Sequence, residues 1–371
     1  MLLFKPRYSM GGIRYLGMTA GGGYAATLEI AREDVNKILE SQDRSSYLLA
    51  QYMPEPTRDA FLAIRAFNLE INKIAPKQSS GPSPLGVSAV DLKFKFWSDL
   101  LTRIFTNPDS DTNIGEPIAF LLRDALRNNL NLELSCLHQF LQSRRHFLNS
   151  SGFNSTDDIC AYGEGTYSQL NYLTQGLLLS PGISPSAISL LEHSRRLQGL
   201  VSDVAAHIGQ ATAVASMVLG SKYYASKNSV TVPVDVMTRH DVSQEQFLRL
   251  AQGHDQDMAA TRQSLQNCFY DVAVVANDHI LTARQKLQEI REETAKVVKS
   301  NPNDKLLQKN HRKWRHGIPD VIFLPFMVSI PTTLYLRRLE KNDFDIFAPA
   351  MDAKEWRLAW TSFRGYYQRR I

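Results

Sequence analysis

A chain of 371 residues that is 43% hydrophobic and 21% charged can bury a sizeable core, which excludes a disordered or collagen-like protein and leaves room for one large domain or two ordinary ones. Its net charge of +5, from 42 basic and 37 acidic residues, is too mild to imply nucleic-acid binding, while an anionic membrane surface or an acidic partner stays compatible with it. Cys136, Cys160 and Cys268 stand far apart, with no C-x-x-C pair and no His/Cys cluster at metal spacing, so neither a disulfide framework nor a zinc site is expected.

Residues 1–28 carry Lys5, Arg7 and Arg14 and no acidic residue before Glu29, a composition that suits a mitochondrial matrix transit peptide. Serine is scarce there, and Gly11, Gly12 and Gly21 to Gly23 weaken a helix, so an ordinary frayed N-terminus is the alternative. From about residue 30 onward the apolar residues recur with helical period, which predicts an all-α fold. After Pro54 and Pro56, Phe61, Ile64, Phe67, Ile71 and Ile74 make one buried stripe that Pro76 ends.

Residues 77–87, with two prolines, two glycines and three serines, predict a loop. Further helices are expected near 88–106, 115–128, 132–149, 156–179, 184–219, 243–252, 256–299, 319–340 and 353–369. Residues 230–236 alternate like a strand, but Pro233 removes a ladder donor and predicts a loop. Residues 296–316 hold Lys296, Lys299, Lys305, Lys309, Arg312, Lys313 and Arg315 and read as a basic connector between two long helices. It is either a solvated charge run or a docking surface for anionic lipid or an acidic partner. The longest apolar runs, such as residues 321–328, are broken by proline and fall short of the roughly 20 residues a spanning helix needs. Any membrane contact is therefore expected to be peripheral, with no transmembrane span. With no internal repeat, residues 29–371 read as a single helical domain.

The segment Ala63-Ile-Arg-Ala-Phe-Asn-Leu-Glu-Ile-Asn-Lys-Ile-Ala-Pro76 resembles the first signature of squalene and phytoene synthases, roughly A-I-Y-A-F-C-R-E-x-D-D-I-A-D. The second signature, L-G-x-A-x-Q-L-T-N-I-L-R-D-V-x-E-D followed by a basic loop and I-Y-L-P-x-D, aligns without a gap on residues 208–224 and 230–235. Residues 45–50 and 93–97 add supporting matches, so the resemblance spans most of residues 43–340. It implies a single-domain isoprenoid-synthase-type (terpenoid synthase) helical bundle.

Enzymes of that superfamily bind prenyl diphosphates through Mg²⁺ held by aspartates on two facing helices, spaced so that the carboxylates share a helix face. On this resemblance the first aspartate cluster maps onto Asn72, Lys73 and Pro76 and the second onto Gly220, Tyr223 and Tyr224, while the supporting Gln, Asn and Arg become Ala213, Ser216 and Leu219. No catalytic residue, metal or cofactor is expected at these vestigial positions. Other acids offer little substitute. Asp157 and Asp158 read as first-turn residues of a helix; Asp203 and His207 are a lone pair four apart; Asp255 with Asp257 and Asp343 with Asp345 read as cap or turn residues.

Within the superfamily, Tyr162-Gly-Glu-Gly-Thr-Tyr-Ser-Gln-Leu-Asn-Tyr-Leu173, His207-Ile-Gly-Gln-Ala211, Asp343-Phe-Asp-Ile-Phe-Ala-Pro349 and a tail with Trp356, Trp360 and Arg364 look most similar to the complex I assembly-factor branch. That resemblance implies a non-enzymatic mitochondrial assembly factor, engaging complex I subunits or assembly intermediates on the matrix side of the inner membrane. The alternatives are a prenyl-lipid-binding protein, for which Ala211, Ala213, Ala215, Ser216 and Gly220 leave room beside a helix, and an active prenyl diphosphate condensing synthase.

Overall fold

Helices and turns make up the described residues, with no β-strand among them. The computed structural model describes residues 23–74, 88–110, 114–150, 152–253 and 259–371. Residues 1–22, Pro76, the loop 77–87, Asp255 and Asp257 lie outside the described residues, and so do the expectations placed on them.

The first described element is α1 (Gly23–Gln42), which begins inside the basic segment 1–28. Its Tyr24 hydroxyl donates to Asp124 at 2.7 Å and its Arg32 pairs with Asp59 at 2.6 Å, tying it to later helices. Asp43 separates α1 from α2 (Arg44–Leu49), accepting the Ser46 backbone N–H as a cap. Next, α3 (Glu55–Asn72) carries Pro56 in its first turn and buries Phe61, Ile64, Phe67 and Ile71, the stripe that helical spacing requires. α4 (Ala89–Thr106), capped by Ser88, α5 (Pro117–Arg127) and α6 (Leu134–Asn149) follow.

α7 (Thr156–Gly163) starts on a capping box between Ser155 and Asp158, so Asp158 serves the helix end. A π-helical turn, Glu164–Ser168, joins it to α8 (Gln169–Leu178). The single helix expected at 184–219 is two. Ser194 sits extended between α9 (Pro185–Glu192) and α10 (Arg195–Ala225) and accepts the Leu197 N–H, a capping option that competes with helix continuation. Thr231, in the strand-like stretch, is buried in a loop that ends in α11 (Val234–Arg239), for which Pro233 is the N-cap.

The remainder comprises α12 (Gln244–Ala251), α13 (Ala259–Ser300), α14 (Lys305–Asn310), α15 (Asp320–Phe323), α16 (Ser329–Lys341) and α17 (Leu358–Gln368). The helix expected at 319–340 is interrupted by a 3-10 turn over Leu324–Val328 that contains Pro325, whose missing N–H cannot continue the ladder. The helix expected at 353–369 starts later because Glu355 is held by Arg338 at 2.9 Å and Arg357 at 2.8 Å in an elbow. The basic connector 296–316 is itself partly helical, ending α13 and including α14.

α10 and α13 pack against each other along most of their length and supply both core clusters. Their residues Leu197 to Ile208 and Ala283 to Val297 join the larger core around α3 to α6 and α8, while Ala213 to Ala225 and Leu265 to Ala276 join the second core with α7, α11 and α12. Three buried or half-buried side chains from the π turn and α8 donate to α10 carbonyls: Ser168 to Ala206, Asn171 to Ala205 and Gln175 to Val201, at 3.0 to 3.1 Å. Two helical stretches, Arg195–Ala225 and Asp320–Lys341, are long and apolar enough to cross a membrane, contrary to the expectation from unbroken apolar runs. Most of each apolar window, 61% and 72%, is buried within the protein, as in the core helices of a folded domain.

The close contact at Gly209 yields a prediction. A Cβ there would lie 2.2 to 2.6 Å from Oγ, N and Cα of Ser168, so Gly209→Ala is expected to cost about 1–3 kcal/mol or more by overpacking. Gly199, on the same helix, has nothing within 4 Å of its added Cβ. Gly199→Ala is expected to stabilise by up to ~1 kcal/mol. Urea unfolding of the two variants checks the opposite signs.

Candidate functional site

The two motif regions meet at one end of the bundle, where the last turn of α3 faces the last turns of α10. Asn72 closes α3 and donates through Nδ2 to Asn68 Oδ1 at 3.0 Å. Lys73 turns outward and pairs with Glu70 at 3.1 Å. On α10, Gly220 lies under the Tyr224 ring, Tyr223 is 60% exposed, and Tyr224 packs edge-on against Phe147. Pro76 lies outside the described residues.

What joins Asn72 to Tyr224 is Arg144 of α6, which is 2% exposed. Its Nη2 donates to the Asn72 carbonyl at 3.2 Å and its guanidinium sits 5.2 Å from the Phe147 ring centroid. The phenols of Tyr162 and Tyr224 lie close enough to interact with its charge. Burial raises the Tyr162 phenol well above its usual range, so the hydroxyl is neutral and acts as a dipole. Nε and Nη1 of Arg144 are buried without a hydrogen-bond partner. A guanidinium stays charged in a protein, so a fixed, under-satisfied cation lies between the two motif helices.

A cleft of about 310 Å³ opens beside this point. Leu49, Leu69, Leu219, Val328 and Pro331 make most of its wall apolar, and Asp43, Ser46, Arg65, Asn68, Asn72, Thr212 and Ser216 set polar groups into it. Arg65 donates to Ser46 Oγ at 2.8 Å and lies 3.6 Å from Asp43. Of the small residues on α10, Ala215 and Ser216 line the cleft, whereas Ala211 and Ala213 are fully buried and Ala213 abuts Gly163 of α7. Those latter two serve close helix packing.

Magnesium takes oxygen ligands in near-octahedral geometry, with carboxylates supplying the charge. The donors here are an amide already bonded to its neighbour, hydroxyls, a guanidinium and one carboxylate, Asp43, which is taken up by Ser46 and Arg65, and a single engaged carboxylate does not fit that ion. Among the described residues no three His, Cys, Asp or Glu side chains gather as a metal-binding group.

Asp203 and His207 each hydrogen-bond to a different partner in the structure. Asp203 accepts from Lys286 at 2.7 Å, while His207 Nδ1 meets His279 Nδ1 at 2.9 Å, and His279 Nε2 lies 3.5 Å from Cys160 Sγ. Burial lowers both histidines, with the His279 and Lys286 charges adding to the effect on His207, and burial pushes the Cys160 thiol up to about 11. Asp343 and Asp345 occupy a turn with left-handed backbone at Asp343 and Phe344, in which Asp345 binds Arg262 at 2.6 Å. Sequence reasoning missed Arg144 and His279. The signal for Arg144 was present: it follows Leu137, Phe140 and Leu141 at helical spacing, on the buried face of α6.

A family model described as squalene/phytoene synthase matches residues 39–364. Among curated proteins, "NADH dehydrogenase (ubiquinone) complex I, assembly factor 6" of Bos taurus is 26% identical, covering 86% of this chain and 76% of its own. The Homo sapiens protein of that name is 24% identical with the same coverage, and a Dictyostelium discoideum homolog is 21% identical over 83% of this chain and 70% of its own. Among solved structures, a dehydrosqualene synthase bound to a ligand superposes with a TM-score of 0.58 at 10% identity, covering 93% of this chain and 98% of that one. Squalene synthase HpnC from Alicyclobacillus acidocaldarius gives 0.56 at 10% identity, covering 88% and 98%. Similarity at that identity speaks for the fold alone, a terpenoid-synthase-type helical bundle.

Two outcomes follow for this region. Arg144→Met keeps the stem and removes an under-satisfied buried charge, so its stability is expected within about 1 kcal/mol of wild type or higher; Arg144→Ala leaves a cavity and is expected to cost about 2–4 kcal/mol. Chemical denaturation of both variants measures the difference. Burial holds the folded-state pKa of His207 and His279 below the ordinary histidine value of about 6.5, so the unfolded chain binds protons there first. Their contribution is fully present above about pH 6.5 and is lost as pH falls from there toward the folded pKa. A thermal-melting series across that window is expected to show the decline, and His207→Gln with His279→Gln should flatten it.

Proposed function

We propose, from the premise that this chain belongs to the squalene/phytoene synthase family, that it is a member without condensing activity, working as an assembly factor for mitochondrial respiratory complex I. It engages complex I subunits or assembly intermediates on the matrix side of the inner membrane, touching the membrane peripherally. The observation that carries the reading is the coverage of 86% of this chain by proteins named complex I assembly factors, joined to the chemistry at the two motif positions.

That chemistry argues against metal-assisted ionisation of a diphosphate on physical grounds. A divalent ion about 5 Å from a guanidinium meets repulsion on the order of 7 kcal/mol at an effective dielectric constant near 20. Asn72, Gly220, Tyr223 and Tyr224 supply no carboxylate to offset it. Asn72 and Tyr224 are instead joined through Arg144, so the helices that face each other across a metal site in the enzymes are here held by side chains.

Loss of the protein in its own cells is expected to lower assembled complex I, and affinity purification from mitochondria is expected to recover complex I subunits. Magnesium-dependent release of diphosphate from farnesyl diphosphate by the purified chain, with complex I levels unchanged in the deletion strain, would overturn the reading.

A further inference from the structure

Away from the motif helices, α13, α16 and α17 enclose a cleft of about 540 Å³ whose wall is dominated by arginine. Arg284 and Arg291 enter from α13, Arg337 from α16, and Arg364 and Arg370 from α17 and the residues after it, and no aspartate or glutamate side chain lines the cleft. Two of the guanidiniums are braced by main chain: Arg284 Nε donates at 2.7 Å to a main-chain oxygen of Ile371, the last residue of the sequence, and Arg291 donates to the Arg369 carbonyl. Nε of Arg291 and the Thr333 hydroxyl, which also lines the cleft, are buried without partners. Burial and the neighbouring Arg337 push Arg284 down from its usual range, and burial and Arg370 do the same to Arg291. Like charges crowded in this way are relieved by an anion.

Two further features surround the arginines. Trp360, 61% exposed, lines the cleft; its ring stacks on the exposed Phe363, which packs tilted against the exposed Tyr367, and Trp356, four residues earlier, is 83% exposed. The second feature is a smaller cleft of about 220 Å³ that continues from the first, sharing Arg284, Thr333 and Arg337. Tyr270, Val274, Ile280, Leu336 and Phe344 make its walls largely apolar, and Glu340 lines it as well, so the arginine end is the one suited to negative charge. The basic connector approaches the same face: Arg315 lies 4.7 Å from the Tyr366 ring and 5.0 Å from the Tyr367 ring.

We infer that this face docks on a bilayer containing anionic phospholipid, with a headgroup phosphate in the arginine cleft, part of an acyl chain in the apolar cleft, and the exposed aromatic side chains at the membrane interface. Guanidinium forks match phosphate geometry, and tryptophan and tyrosine favour the headgroup level of a bilayer. A basic pocket that runs on into an apolar one fits an amphiphile with its charge at one end better than it fits an acidic peptide, whose charges are spread along the chain. The inference rests on the peripheral-membrane part of the proposed function and not on the identity of any partner.

The full chain is tested by co-sedimentation with phosphatidylcholine vesicles, with and without a minority of cardiolipin, and by titration with inorganic phosphate. Binding is expected to the anionic vesicles only, weakening with salt, and tryptophan emission is expected to shift to the blue on binding. The double variant Arg337→Gln/Arg364→Gln, both exposed in the free protein, is expected to lose roughly tenfold or more in vesicle affinity at an unchanged melting temperature. Lys93→Gln/Lys95→Gln, exposed on α4, removes the same charge elsewhere and is expected to bind as wild type. Equal loss in both double variants, binding to both vesicle types alike, or an affinity for inorganic phosphate without vesicle binding overturns the inference. Complex I levels in cells carrying each variant report on the assembly role separately, so either idea can fail while the other stands.

Discussion

Helix α10 passes through the middle of the molecule because the face it turns toward α7 and the π turn carries almost no side chain. Gly209 lies against the main chain of Ser168, Ala213 against Gly163, and three polar side chains reach across to α10 carbonyls. Its opposite face pairs with α13, and that pair runs through both apolar clusters. Larger residues at the close-approach points would push α10 away, separate the clusters and displace the motif turns at its end. Close packing at this helix is thus the condition for both the core and the candidate site.

At that site the protein holds two facing helices together by a different physical means from the enzymes it resembles. Synthases of the family use carboxylates and divalent cations, an arrangement that gathers negative charge and then neutralises it. Here an arginine from a third helix bonds to the end of α3 and lies beside the tyrosines of α7 and α10. The linkage is permanent and carries unpaired donors, Nε and Nη1, so it contributes order between the helices more than net stability. An interaction protein needs its helices fixed in one arrangement, whereas a condensing enzyme needs room for substrate between them.

The surface shows the complementary pattern. The arginine-lined cleft and the exposed aromatic side chains lie on α13, α16 and α17, away from Asn72 and Tyr224. Exposed tryptophan is costly to leave in water, and like-charged guanidiniums oppose each other unless an anion is near. Both features lose their cost on contact with an anionic interface. The buried motif region and this outer face are therefore separate, one holding the bundle together and the other available for contact.

Sequence alone determined the helical class, because apolar residues at spacings of three and four, as in Phe61, Ile64, Phe67 and Ile71, can be buried together only on a helix. It also determined what stands at the motif positions: an amide, an ammonium, a proline ring, a glycine and two phenols are properties of the chain whatever its fold. It did not separate α9 from α10 at Ser194, since a serine cap differs from a mid-helix serine only in the backbone it adopts. Nor did it find Arg144, His279 or the arginine cleft, whose members come from positions as distant as 284, 337 and 364. Only the tertiary structure brings them together, because charge and hydrogen bonding act over a few ångströms of space, and the chain records distance along its length.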